Sequence, residues 1–245
     1  MIHFKNVHFS YRHAEPVLKG ADLDLAAGLT LVLGPNGSGK STLLKLAAGI
    51  ERPDHGVAAI DGHDLWRDEV AARARLAYVS EQPDLTPYAT IRDVVYLVCR
   101  LRSEPLRRGR EVLEQVGLWG IAGRSIRELS SGQRRRAVLA AAWIGSPRVI
   151  LLDEPLESMD RTIRDEILAW IDRLLAAGAV VVIATHEIEP FLEKATRALV
   201  VAGGANRLFE PLPTGAADRL AFLEALSRGT LPLQRAESPV SPDYS

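Results

Sequence analysis

Hydrophobic residues fall along this chain in two rhythms. Short apolar runs, many of them β-branched, predict buried strands at 29–33, 57–60, 76–79, 149–152, 180–184 and 198–202. Between them, stretches rich in good helix formers predict helices at 42–48, 93–98, 111–116, 134–141, 161–176 and 187–195. The opening residues follow another pattern, with Ile2-His3-Phe4 and Val7-His8-Phe9-Ser10-Tyr11 alternating like half-buried strands. Regular exchange of strand and helix through the second half indicates a largely parallel sheet with helices on both faces, an α/β fold. From about residue 91 the texture turns helical, interrupted by a basic, proline-containing connection at 101–109, and this marks an inserted helical subdomain. One domain over 1–228 is expected, with the helical subdomain at about 91–145. The polar, proline-bearing tail 229–245 is expected to be disordered.

Two segments carry chemistry. Gly34-Pro35-Asn36-Gly37-Ser38-Gly39-Lys40-Ser41-Thr42 follows the first core strand and enters a helix, so strand, glycine loop and helix stand in order. Glycines let such a loop turn its N–H groups inward, and the helix N-terminus adds partial positive charge, which suits a polyphosphate. Lys40 would reach the β- and γ-phosphates, and the Ser41 hydroxyl would ligate Mg²⁺. The second segment, Val149-Ile150-Leu151-Leu152-Asp153-Glu154, delivers two carboxylates to the carboxyl edge of a sheet, where open α/β sheets bind ligands. Asp153 would hold the metal, and Glu154 would polarise the attacking water.

Composition narrows the rest. The 245 residues suffice for one large domain, and 30 basic against 31 acidic residues give no hint of a nucleic-acid or anionic-membrane partner. The single cysteine, Cys99, lies in an apolar stretch and reads as a small buried hydrophobe, which fits a reducing cytoplasm. Met1 runs straight into alternating residues without the blocks of a signal peptide. No apolar run approaches the roughly 18–20 residues that a spanning helix needs.

Between the two chemical segments lies Leu129-Ser130-Ser131-Gly132-Gln133, opening a helix. Serines there can cap the helix, and its free N–H groups form a second anion site. The sequence resembles the LSGGQ signature of ABC ATPases, and in its order with the other motifs the resemblance covers about residues 2–210. It implies a P-loop NTPase core with a mostly parallel sheet, an N-terminal antiparallel β-subdomain and an inserted helical subdomain. It also implies ATP and Mg²⁺ as cofactors. By the same resemblance Tyr11 would stack on adenine, and His186, after the strand 180–184, would contact the γ-phosphate. Ser130, Ser131, Gly132 and Gln133 would complete the nucleotide site of a partner subunit. His3, His8, His13, His55 and His63 match no motif and read as structural or solvated.

Three positions depart from the family pattern. Ser131 stands for the signature's first glycine. Pro155-Leu156-Glu157-Ser158-Met159-Asp160 carries Glu157 and Ser158 where Ser-Ala is usual, which bears on communication between two sites of a dimer. In Tyr78-Val79-Ser80-Glu81-Gln82-Pro83, counting back from Leu85 and Pro87 puts Glu81 at the family's glutamine position, with Gln82 one residue late. Either side chain could reach the metal; Glu81 needs no compensating bulge. A glutamate there resembles exporter-type subunits and points to export.

Arg134-Arg135-Arg136 fan round a helix and read as a solvated face, as do Arg107, Arg108 and Arg110, so nucleic acid is not expected as a partner. The resemblance thus implies the ATP-hydrolysing subunit of a membrane transporter. It would act as a dimer with a second copy or a homologous subunit, held on the cytoplasmic face by a separate permease. Pro83, Pro87 and Tyr88 offer a docking edge for that permease. The alternatives are a soluble ABC-type ATPase acting on ribosomes or DNA, and a nucleotide-binding regulator that does not hydrolyse.

Overall fold

A computed structural model of the chain describes residues 1–12, 14–82, 85–145 and 147–230. His13, Pro83 and nearly all of the tail expected to be disordered, residues 231–245, lie outside the described residues. Strands β1 (Ile2–Phe9), β2 (Leu18–Leu25), β4 (His55–Ile60) and β5 (His63–Asp64) form an antiparallel sheet in the order β2-β1-β4-β5. The core sheet contains β3 (Gly28–Leu33), β6 (Leu76–Val79), β7 (Val149–Asp153), β8 (Val180–Ala184), β9 (Ala195–Ala202) and β10 (Ala205–Phe209). Its order is β10-β9-β3-β8-β7-β6, parallel except for the edge strand β10.

Both faces of the core sheet are covered, which is why its central strands read as continuous apolar runs. Along β8 the residues alternate: Val181 and Ile183 join a core built with the helices α3 (Ile91–Leu101), α4 (Leu106–Gln115), α5 (Ser131–Ala142), α6 (Arg161–Ala176) and α7 (Ala216–Arg228). Val180, Val182 and Ala184 join the other core, made with α1 (Lys40–Ala47), α2 (Glu69–Arg73) and the antiparallel sheet. The period-2 geometry of a strand splits each run between two cores.

Several expected elements differ. The stretch 187–195 is not a helix: Glu189–Phe191 makes a single 3₁₀ turn with Pro190 in it, and β9 begins at Ala195. Proline inside so short a segment removes a helical hydrogen bond before packing can compensate. Helix α4 starts at Leu106, inside the expected connection, because Pro105 supplies a ready N-cap backbone. Helix α7 is an addition; Gly229, with φ +69°, ends it in the left-handed conformation favoured at C-termini. Cys99 is fully buried on α3. Among the described residues no helix is long and apolar enough to cross a membrane.

Candidate active site

The strand order sets four functional segments in one row. Strands β3, β8, β7 and β6 are parallel neighbours, so the loop after each emerges at the same carboxyl edge. In that row lie the glycine loop 34–39, then Thr185 and His186, then Asp153 and Glu154, and last Glu81 and Gln82.

The glycine loop is shaped by backbone sterics. Gly34 has φ +143°, and a Cβ there would stand 2.3 Å from the Val201 carbonyl oxygen. Gly39 has φ +105°, and its Cβ would meet Val17 Cγ1 at 2.3 Å. Only glycine fits either position. Gly39 is also the N-cap of α1 and offers no side chain to the first N–H groups, which are left for an anion. Pro35, Asn36 and Gly37 are exposed at the loop tip, and the buried Ser38 Oγ has no hydrogen-bond partner among the described residues. The Lys40 ammonium lies back across the loop, donating to the carbonyls of Gly34 (2.9 Å) and Pro35 (3.1 Å).

Asp153 ends β7 and is only 3% exposed. Burial pushes its carboxyl above the usual range, and the charges of Glu81 and Glu154 push the same way. The Ser41 hydroxyl, donating to it, and Lys45 pull it down. A buried carboxylate beside a hydroxyl, its proton affinity still raised despite Lys45, is left with negative charge that a divalent cation would balance, so the residues fit Mg²⁺. Tyr78, on β6, is raised by burial and then by Asp153 and Glu81, and its buried hydroxyl has no hydrogen-bond partner among the described residues.

Glu154 adopts φ +48°, a left-handed conformation that costs a non-glycine residue about 1–3 kcal/mol and persists only where its surroundings enforce it. Its Oε2 accepts from the Thr185 hydroxyl (2.9 Å) and the His186 backbone N–H (3.3 Å), and lies 3.0 Å from His186 Nδ1. That pairing raises the His186 pKa. Thr185 and Tyr78 are contributors that motif reading passed over; a buried hydroxyl at a core strand's end was the available signal for Thr185.

Tyr11, just past β1, packs edge-on to Phe9 at 4.9 Å and sets its hydroxyl 3.4 Å from Thr42 Oγ1, the residue as a whole being 39% exposed. The phenol thus borders the phosphate loop. Ser130 caps α5 through a capping box: its Oγ accepts from the Gln133 N–H (3.2 Å), and Gln133 Oε1 accepts from the Ser130 N–H (3.0 Å). The backbone of Ser131 and Gly132 follows at the helix opening. A cavity of about 290 Å³ is lined by Glu81, Gln82, Ser131, Arg134, Arg135 and Ser158, so the three motif departures, distant in sequence, share one space.

The arginine run corrects an expectation. Arg134 is exposed, but Arg135 is buried and Arg136 pairs with Asp160 across to the loop after β7. A helix advances 100° per residue, so three consecutive arginines cannot share one face, and the middle one turns inward here. The unmatched histidines pair locally where described: His3 with Asp24 at 2.6 Å, His63 with Asp68, and His8 with Asn6 at 3.0 Å; His55 meets His8 edge-on at 6.1 Å.

Comparison with known proteins shows a family and a shared fold. Residues 18–157 match the family model described as ABC transporter. A sulfate/thiosulfate import ATP-binding protein of Thermosynechococcus vestitus is 38% identical over 209 residues, 83% of this chain and 62% of that protein. This chain therefore spans a little under two thirds of that relative's length. A putative ABC transporter ATP-binding protein of Pyrococcus horikoshii, PH0132, is 33% identical over 215 residues, 85% of this chain and 83% of its own. Among solved structures, the dimeric post-hydrolysis state of the ATP-binding cassette MJ0796 bound to ADP and Pi superposes with a TM-score of 0.75. It is 27% identical and covers 86% of this chain and 98% of its own.

Proposed function

This chain belongs to the ABC transporter family of ATP-hydrolysing cassettes, and on that premise we propose that it is the ATPase subunit that powers a separate membrane permease. The reading rests above all on the row at the carboxyl edge, where the glycine loop, His186, Glu154, Asp153 and Glu81 follow one another on adjacent parallel strands.

In this reading Lys40 exchanges its loop carbonyls for the β- and γ-phosphates of ATP, joined by backbone N–H groups of the glycine loop and the start of α1. Tyr11, held beside Thr42, stacks on adenine. Ser41 and Asp153 would hold Mg²⁺, with Glu81 or Gln82 reaching it from the loop after β6. The bound cation neutralises charge on the phosphate oxygens. Glu154 accepts a proton from the attacking water through its carboxylate, which His186 and Thr185 hold at one oxygen. His186 stands ready for the γ-phosphate. Ser130, Ser131, Gly132 and Gln133 serve the nucleotide of a second subunit, so the working form is a dimer, as MJ0796 is in its solved state.

Residues 1–228 are taken as one cassette with the helical subdomain at about 91–145. The permease would bind a groove of about 740 Å³ between α2 and α3, lined by Val70, Arg73, Val98, Leu101, Arg102 and Glu104 among others. Val70 and Leu101 are 84% and 75% exposed there, apolar surface that a partner would cover. Such docking places the chain peripherally on the cytoplasmic face of a membrane. Direction is proposed as import, since the Thermosynechococcus relative is named an import protein, whereas export rested on Glu81 alone.

The test is ATP hydrolysis by the purified chain with and without Mg²⁺. It is joined to photo-crosslinking from positions 70 and 101 in solubilised membranes of its host. Mg²⁺-dependent hydrolysis and a crosslinked polytopic membrane protein are expected. A chain that neither binds nor hydrolyses ATP would refute the enzymatic reading, and crosslinks only to ribosomal or DNA-bound proteins would refute the permease.

A further inference from the structure

Arg135 is 5% exposed in the middle of an otherwise accessible arginine run. Its Nη2 donates to the backbone oxygen of Asp153 at 3.2 Å, and its Nη1 lies 3.5 Å from Glu157 Oε2. The Asp153 carbonyl belongs to the peptide that joins Asp153 to Glu154. The N–H of that same peptide donates to the Ala184 carbonyl at 2.8 Å. Both polar atoms of one peptide are therefore held from opposite sides, by α5 through a guanidinium and by β8 through its last residue.

The residue that follows this peptide is Glu154, at φ +48°. A strained conformation of this kind survives only when neighbouring contacts over-determine it. Burying a guanidinium is a costly way to fill space, because an apolar side chain would pack there without the loss of hydration. Arg135 bears that cost with no hydrogen-bond partner for its Nε among the described residues, so its two remaining contacts call for a reason beyond packing.

We propose that Arg135 is a positioning residue for hydrolysis: it clamps the Asp153–Glu154 peptide and thereby aims the Glu154 carboxylate. It also lies on the helix opened by Ser130–Gln133, so the aim of the base follows the placement of that helix. This rests on the reading of Glu154 as the base.

Arg135→Met removes the donor while keeping a long apolar stem. Its expected signature is a fall in kcat of about tenfold to a hundredfold per nucleotide-binding site, the scale of a small misplacement of a reacting group. KM for ATP should stay within about twofold, since no phosphate contact is lost. Glu157→Gln removes the ion pair but leaves the Asp153 carbonyl held, and should turn over near the wild-type rate. A role in folding alone would lower the thermal midpoint and the fraction of binding sites while leaving kcat per site unchanged, and that result overturns the proposal. An equal loss in Glu157→Gln overturns it as well, by assigning the effect to the ion pair. Should Arg135→Met not fold, Arg135→Leu carries the test: a donor-free side chain with the same fall in kcat supports the clamp, and wild-type kcat refutes it. Wild-type protein that hydrolyses no ATP would instead refute the underlying functional reading, so the two failures are distinct.

Discussion

Glu154 and His186 face each other across the ends of β7 and β8, with His186 Nδ1 3.0 Å from Glu154 Oε2. The carboxylate raises the imidazole's pKa above its ordinary 6.5, first by the hydrogen bond and then by charge. Because the folded-state value is the higher one, the pairing contributes fully below about pH 6.5 and is lost as pH rises through the raised value. The histidine side chain is 63% exposed, so solvent screens the effect on stability and the clearer readout is the titration itself. NMR of His186 should show a pKa above 6.5 in the wild type that returns towards 6.5 in Glu154→Gln. The same substitution should reduce steady-state turnover by at least about a hundredfold, the scale of a lost general base, while preserving ATP binding. Undiminished hydrolysis would remove Glu154 from the catalytic role.

Lys40 occupies its own loop, bonded to Gly34 and Pro35 carbonyls, and in the proposed function those contacts would give way to phosphates. A hydrogen bond from a charged donor contributes about 1.5–3 kcal/mol, so Lys40→Ala should weaken ATP binding roughly tenfold to a hundredfold. Calorimetric titration decides the point. Unchanged affinity would mean that the ammonium stays on the loop carbonyls when nucleotide binds.

Asp153 works against the stability of the nucleotide-free protein. Its folded-state pKa is raised by burial and by two neighbouring carboxylates, so the charged form is disfavoured relative to the unfolded chain. The resulting loss of stability grows as pH climbs from about 3.8 through the raised value and is complete above it. Asp153→Asn should therefore raise the nucleotide-free Tm at neutral pH, by about 2–4 °C for each kcal/mol relieved in a domain of this size. It should also abolish the extra stabilisation that Mg²⁺ gives in the presence of ATP. Thermal unfolding with and without Mg-ATP tests both halves; a lower nucleotide-free Tm would show that the Ser41 hydrogen bond outweighs desolvation.

Local chemistry was legible in sequence where one short segment carried it. The loop 34–42 announced itself because its strand, glycines and helix are contiguous, and strand 76–79 and helix 161–176 were bounded as the structure has them. What escaped depends on neighbours distant in the chain. The sequence could not tell which of Arg134, Arg135 and Arg136 turns inward, because that is decided by the Asp153 carbonyl eighteen residues on. Nor could it tell that Glu81, Ser131 and Ser158 line one cavity, since only the crossover order of β6 and β7 against α5 brings them together. Helix α7 has a weak apolar stripe and earned no expectation, whereas 187–195 looked helical and was ended by Pro190 and the pull of β9 into the sheet.

The loop after β6 offers two candidates for the metal, and charge separates them. Glu81 raises the proton affinity of Asp153 and of Tyr78, so its carboxylate acts on the same buried space as the cation site. Gln82 carries no charge, and only its backbone carbonyl is engaged locally, accepting from the Ser80 hydroxyl at 3.1 Å. An anionic ligand strengthens binding of a hard divalent cation, so removing the charge should weaken it. Glu81→Gln is therefore expected to raise the Mg²⁺ concentration for half-maximal hydrolysis by several-fold, while ATP binding without metal stays the same or tightens as repulsion on the phosphates falls. Gln82→Ala should leave the Mg²⁺ dependence where it is. Titrating hydrolysis with Mg²⁺ at saturating ATP compares the two directly. A shift in Gln82→Ala with none in Glu81→Gln would place the metal-reaching residue one position later, with the loop bulged to bring it there.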